Sequence, residues 1–393
     1  MSGQLPPAVS RQSDRAGRCP LLWLAAWLGL AVTILPQVAT ITNTTTTVTT
    51  VPAAVPAPLP LAHQPLLAQA ESGDATAQFS IGLLFFDGTE VEKDLARAAS
   101  WFGKAAAQGH VGAQFNLAVC YTQGLGVAQD YAEAGRWFEM AAGQNNLKSA
   151  IMLGDFYGLG LGVRRDAVKS SQWYRRAAEQ GHPEAQLKFG LAAATGFGVA
   201  IDYAEAFVWF SLAAEQSVAD AATQLAKLKG LLTRDQLVEG QKRLAEKGNV
   251  EAAYLVGRAY ATGVGVPTDA TQALRWFLRA AERNHPDAEY NVGLLYHRGR
   301  GVAPDKRAGM TWIEKAARLG QAEAAVFLGV LFANGDGVDL SEAEALKWYL
   351  VAAALNDLAA QETAVKIAAD LRYEQRETAR TQADVILAGI STP

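Results

Sequence analysis

Tryptophan keeps a fixed beat along this chain. Trp101, Trp137, Trp173 and Trp209 stand 36 residues apart, and after a gap of 67 residues Trp276, Trp312 and Trp348 resume the same step. A period of this length marks stacked helix pairs, each unable to bury its apolar face alone. Trp23 and Trp27 complete the set of nine, so every tryptophan belongs either to the repeat or to an apolar N-terminal run. None is left over for stacking on a ligand.

Fixed offsets within each of the seven units give the reason for each element. A small residue (Gly82, Ala118, Gly154, Gly190, Gly257, Gly293, Gly329) sits inside the first helix. Glycine there costs roughly 1 kcal/mol against alanine, so close helix approach must offset it. Three residues on stands a large ring, with Ala193 the exception; a turn follows, opened by a glycine and closed by a valine. A second glycine lies between them in six of the seven units, Glu90 replacing it in the first. Next come Asp94, Asp130, Asp166, Asp202, Asp269, Asp305 and Ser341, all good N-caps. Glu133, Glu205, Gln272 and Glu344 three residues later are spaced for capping boxes. The second helix then carries the tryptophan, which we expect in the core, and an Ala-Ala pair. It ends at Gly109, Asn145, Gly181, Ser217, Asn284, Gly320 and Asn356, where six of the seven are residue types that tolerate the left-handed conformation.

A single unit such as "QGLGVAQDYAEAGRWF" could be mistaken for a phosphate-cradling loop ahead of a helix. Repetition argues against it, because an anion would have to displace a built-in aspartate in unit after unit.

The units "IGLLFFDGTEVEKDLARAASWFGKAAAQG" and "VGRAYATGVGVPTDATQALRWFLRAAERN" resemble the Sel-one-like repeat family, relatives of tetratricopeptide repeats, over about residues 74 to 357. The resemblance implies an all-α fold, a right-handed superhelical α-solenoid of helix-turn-helix repeats whose first helices line the concave face. It also implies a role in binding a protein or peptide. Relatives linked to antibiotic hydrolysis carry cysteine pairs in each repeat, which this chain lacks.

Between Trp209 and Trp276 the spacing is one unit plus 31 residues. Residues 219–248 read as a degenerate helix pair, with Thr233 and Gln236 offering a capping box. It joins a four-repeat array (73–218) to a three-repeat array (249–357), and residues 358–393 read as C-terminal capping helices.

Ahead of the repeats, residues 1–20 form a basic segment with Arg11, Arg15 and Arg18, and the uncharged run of 15 residues from 21 to 35 follows. Residues 36–70 contain no Lys or Arg, a positive-inside pattern that puts the remainder outside the cytoplasm. The run is short against the roughly 20 residues of a full span. Residues 21–41 are therefore read as a signal peptide or a membrane anchor, and 42–72 as a Thr/Pro-rich linker. The expected location is membrane-anchored with the repeats outside the cytoplasm (periplasmic in a bacterium), or exported after cleavage.

The net charge of -4 gives no basis for nucleic-acid binding, and Cys19 and Cys120 form no metal or disulfide spacing. No nucleophile-elbow, zincin or P-loop stretch is present. His110, His182 and His285 share one repeat position and read as turn residues, leaving His297 unexplained. No catalytic residue, metal or cofactor is therefore assigned. Positions flanking the first-helix glycine vary most among units that share a core, which marks them as free of packing duty: Asn116, Asp155, Lys188, Tyr254, Arg258, Tyr290, Asn291 and Arg298. These are the expected partner-binding residues of a non-catalytic scaffold. The alternative is a hydrolase or carbohydrate-binding envelope protein using the same groove near His297.

Overall fold

The structure, a computed structural model, describes residues 59–390. Among them every regular element is helical. A short α1 (Gln64–Glu71) precedes the pairs α2 (Ala75–Asp87) with α3 (Leu95–Ala107), α4 (Val111–Gln123) with α5 (Tyr131–Gly143), α6 (Leu147–Leu159) with α7 (Ala167–Glu179), and α8 (Pro183–Thr195) with α9 (Tyr203–Glu215). The off-length pair α10 (Ala219–Lys229) and α11 (Arg234–Glu246) comes next. Then follow α12 (Val250–Thr262) with α13 (Ala270–Ala281), α14 (Pro286–Arg298) with α15 (Lys306–Arg318), α16 (Ala322–Asn334) with α17 (Glu342–Ala354), and the closing α18 (Leu358–Asp370) and α19 (Tyr373–Ile390). This is an all-α solenoid of helix-turn-helix repeats. The chain divides into two compact units, residues up to 177 with 195–201, and 178–194 with 202 onward. The segment 21–41, read as signal or anchor, lies outside the described residues; within them no helix is long and apolar enough to cross a membrane.

The first-helix glycines do bring helices together, but against a different ring from the tryptophan. A Cβ on Gly82 would lie 2.6 Å from Phe102, and on Gly257 2.5 Å from Phe277. The side chain following the tryptophan is the deeper of the two in six of the seven units, as with the buried Phe102, Phe138, Phe210, Phe277 and Ile313, and only in the last unit is Trp348 deeper than Tyr349. Only Trp101, Trp209 and Trp348 are buried, whereas Trp137, Trp173, Trp276 and Trp312 are half-exposed. The expectation of a core indole in each unit is thus corrected. One helical residue is about 100° of rotation, so when the ring after tryptophan points at the glycine the indole falls at the edge. Basic side chains cover it there: Arg279 over Trp276 at 5.5 Å and Lys315 over Trp312 at 4.2 Å from the ring centroid.

The N-caps of the second helices form as the sequence predicts, with Asp94, Asp130, Asp166, Asp202, Asp269, Asp305 and Ser341 each accepting a backbone N–H through the side chain. The four capping boxes do not form in the same way. The cap residue's own N–H, which Glu or Gln should satisfy, is already donated to a carbonyl of the first helix, as from Asp130 to Tyr121 at 2.9 Å and from Asp202 to Ala193 at 3.0 Å. Glu133 pairs instead with Arg136 at 2.5 Å, and Glu205 accepts from the Trp209 indole at 2.7 Å. Only in the off-length pair, with no such carbonyl bonded, do Thr233 and Gln236 make the reciprocal box. At the helix ends Ser217, the poor fit, adopts φ 65 beside Asn145, Asn284 and Asn356.

The second glycine of the turn joins one repeat to the one before. Gly126 has φ +72, and a Cβ there would lie 2.0 Å from the Leu95 carbonyl oxygen at the start of α3. Gly162 meets Tyr131, Gly301 meets Ala270, and Gly265 meets Arg234 at the start of α11. The last contact shows α11 serving as an ordinary second helix in the stack. Glu90 becomes intelligible too: among the described residues the short α1 precedes the first unit, and Glu90 reaches His63, just ahead of α1, at 2.8 Å.

Residues 64–71, the end of the expected linker, are helical rather than extended. Leu66, Leu67 and Ala70 pack on the first repeat's core, and Gln78 Nε2 donates to the Ala70 carbonyl at 3.0 Å, so α1 covers an apolar end that would face water. At the other end α19 buries Ala379, Ala383 and Ile386 beneath its polar face.

Among the first-helix glycines Gly293 is one of the two tightest approaches: a Cβ would lie 2.3 Å from Ile313 and 2.8 Å from the Gly309 carbonyl oxygen. Gly293→Ala should destabilise by about 1–3 kcal/mol, whereas Gly103→Ala, with nothing within 4 Å in mid-α3, should be neutral or stabilise by up to about 1 kcal/mol. Urea unfolding of both variants checks the contrast.

Candidate functional site

The eight residues predicted to contact a partner do not form one cluster. Asn116 and Asp155 belong to the first compact unit and the other six to the second. Asp155 accepts from the Tyr174 hydroxyl at 2.6 Å, and Lys188 lies 3.7 Å from Glu184. Asn291 is turned inward along its helix, donating to the Asp287 carbonyl at 2.6 Å.

Two groupings stand out in the second unit. On α12, Tyr254 stacks on His285 with centroids 4.5 Å apart, and the exposed Arg258 guanidinium lies 5.7 Å from its ring. On α14, Tyr290 meets Phe327 of α16 edge-on at 6.3 Å, with Arg298 exposed two turns away. Tyr254 and Tyr290 therefore carry packing duty, contrary to the reading from sequence variation. Each keeps one edge in solvent while its other face rests on a neighbour. Burial raises the pKa of both phenols, so they remain neutral hydrogen-bonding groups. Phe327 was missed, although it holds the same repeat position as Asn116, Lys188 and Asn291.

His297 is held through Nε2 and its ring, while its Nδ1 is buried without a hydrogen-bond partner. Its Nε2 lies 3.1 Å from Asp336 Oδ2, its ring meets Phe327 edge-on at 5.5 Å, and Asp336 also pairs with Lys306 at 2.5 Å. The pair resembles a base with its orienting carboxylate, but no hydroxyl or thiol is among the described contacts of the ring. Among the described residues no group of three or more His, Cys, Asp or Glu is placed to hold a metal ion.

The Sel1 repeat model matches residues 75–110, 111–146, 147–182, 183–218, 250–285, 286–321 and 322–357, well over half of the chain. The chain belongs to the Sel1 repeat family. Among solved structures it is similar to a protective antigen of uropathogenic Escherichia coli with an SLR fold, at 31% identity over 82% of this chain and 71% of that one, TM-score 0.42. It is also similar to a Sel1 repeat protein from Oxalobacter formigenes, at 31% identity over 78% of this chain and 90% of that one, TM-score 0.39. No curated protein matches the chain.

The three histidines that share a position are each the last residue of a Sel1 repeat, and two of them act as caps, whereas His182 Nδ1 is buried without a hydrogen-bond partner. His110 and His285 accept through Nδ1 from the N–H of Ala113 and Ala288, capping the first helix of the next repeat. Asp74, Asn146, Asn249 and Asp357 do the same at equivalent places. This second row of caps was visible in the sequence as polar residues just before each first helix.

The carboxylate of Asp336 ties the last two Sel1 repeats together. Hydrogen bonding from Lys306, with His297 adding to it, holds its pKa below the usual carboxylate value. A lowered folded pKa contributes stability that is complete above the unfolded value and is lost as pH falls through the folded one. Asp336→Asn should therefore unfold at lower urea than the parent near neutral pH, with the difference vanishing in strong acid.

Proposed function

We propose that the protein is a non-catalytic scaffold that binds a protein or peptide segment on the first-helix face of its repeats. Membership of the Sel1 repeat family supports the general role, and the recurrence of tyrosine with arginine on α12 and α14 supports the face. Tyrosine and arginine are the side chains that most often dominate protein interfaces, since each offers a large contact area with a polar end. Here the tyrosines are held in place by His285 and Phe327 before any partner arrives, which lowers the entropic cost of binding. The position of the repeats at the membrane or cell envelope, outside the cytoplasm, is part of the proposal and rests on the charge asymmetry around residues 21–35. A hydrolytic or carbohydrate-directed reading would rest on the His297–Asp336 pair, which has a sufficient role in holding two repeats together.

Affinity capture with the full-length chain, compared with the Tyr254→Ala/Arg258→Ala variant, tests the face. The expected result is a partner whose binding falls roughly tenfold or more in the variant. A partner retained equally by both, or none recovered under cross-linking, would count against it. Mass spectrometry of the mature N-terminus separates the anchored form from the cleaved one.

A further inference from the structure

In three repeats a buried glutamine of the first helix works with a second glutamine near the end of the second helix. Gln78, Gln114 and Gln186 each donate through Nε2 to the carbonyl eight residues earlier, of Ala70, Ala106 and Ala178. Each accepts at Oε1 from a carboxamide thirty residues later: Gln108 at 2.8 Å, Gln144 at 2.9 Å and Gln216 at 2.8 Å. The pair closes the gap between the helices with matched donors and acceptors.

The sixth repeat fills the same two positions with Glu289 and Leu319. Glu289 is 2% exposed, and its Oε2 is buried with no hydrogen-bond partner. Leu319, where the donor should be, is 44% exposed. A buried acceptor without a donor is costly and rare, so its retention calls for a reason. The place of the missing carboxamide opens into a cleft of about 480 Å³, lined by Glu289 and Leu319 together with Trp312, Lys315 and Arg318. The cations have other engagements: Lys315 lies over the Trp312 ring and Arg318 bonds Glu314 at 2.7 Å. Trp312 is one of the half-exposed indoles, and the part of its ring that Lys315 leaves uncovered gives the cleft an apolar wall. Burial raises the Glu289 pKa, against the opposing pull of Lys315 and His285, which favours the neutral acid. A neutral carboxyl suits an amide N–H better than a cation.

We propose that this cleft binds the carboxamide side chain of a glutamine in a peptide ligand: the amide N–H donates to Glu289, the methylene stem lies on Trp312, and the amide oxygen faces Lys315. The repeats themselves show the arrangement, since Gln108, Gln144 and Gln216 supply that carboxamide internally. None of the residues assigned to the partner face takes part, so this site stands or falls separately from the scaffold reading.

Saturation-transfer NMR on the full-length chain, with N-acetylglutaminamide as the probe, provides the test. Transfer to the side-chain methylene protons is expected from the parent. Leu319→Gln restores the internal donor found in three other repeats and should weaken probe binding about tenfold. Glu289→Gln keeps an Oε1 acceptor and should retain binding, while Glu289→Ala should lose it; the two separate loss of the acceptor from loss of the fold. Absence of transfer to the parent, or equal binding by the parent and Leu319→Gln, would overturn the assignment.

Discussion

The contact on which this architecture depends is that between the second glycine of each turn and the first residues of the preceding second helix. Backbone meets backbone there at Gly126, Gly162, Gly198, Gly265 and Gly301, at distances that leave no room for a Cβ, while Gly337 meets the Lys306 side chain; the glycine's positive φ is what allows the approach. The same turn is fixed from its other side by the cap residue, whose side chain holds the second helix and whose N–H is bonded to the first. One short loop thus determines the angle within a repeat and the seating of that repeat on its neighbour. Its exceptions follow the same rule. Glu90 occurs where α1 is the preceding described helix and pairs with His63, and the off-length pair is tolerated because Arg234 of α11 receives Gly265 as any second helix would.

Glycine-rich turns ahead of helices are also where many proteins bind phosphate, and here the alternative is closed by structure. The aspartate carboxylate occupies the N-terminal N–H groups that an anion would need, and the glycine is pressed against a neighbouring helix. Specific function must then come from surfaces and from departures from the repeat pattern. Tyr254 with Arg258 and Tyr290 with Arg298 are of the first kind. Glu289 opposite Leu319 is of the second, a place where one repeat gives up an internal hydrogen bond that three of its sisters keep.

Features that act through the local backbone were legible in the sequence. Turn glycines, N-cap aspartates and left-handed helix ends each depend on a few neighbouring residues, and they appear where expected. Features that depend on rotation around a helix or on a partner far along the chain were not. The tryptophan repeats conspicuously, but regular spacing does not say which of two adjacent rings faces the glycine; Phe102 and Phe277 do, and four of the seven repeat indoles are left half-exposed. Capping boxes were invisible as failures because the competing carbonyl comes from the previous helix, nine residues back. The glutamine pairs span thirty residues and show no local signal at all. At the candidate face, Tyr254 and Tyr290 share a repeat position with Phe79 and Phe115, and sequence variation could not show that His285 and Phe327 support the two tyrosines.

Hydrogen exchange of Gly301→Ala, followed by mass spectrometry, tests the central role of the turn contact most directly. A Cβ there would fall 2.4 Å from the Ala270 carbonyl carbon, in a backbone conformation that alanine rarely adopts. The account predicts loss of protection in both α13 and α15, on the two sides of the joint, with α2 to α5 unchanged. Protection lost only within the turn itself, or not at all, would contradict the claim that this contact seats one repeat on the next.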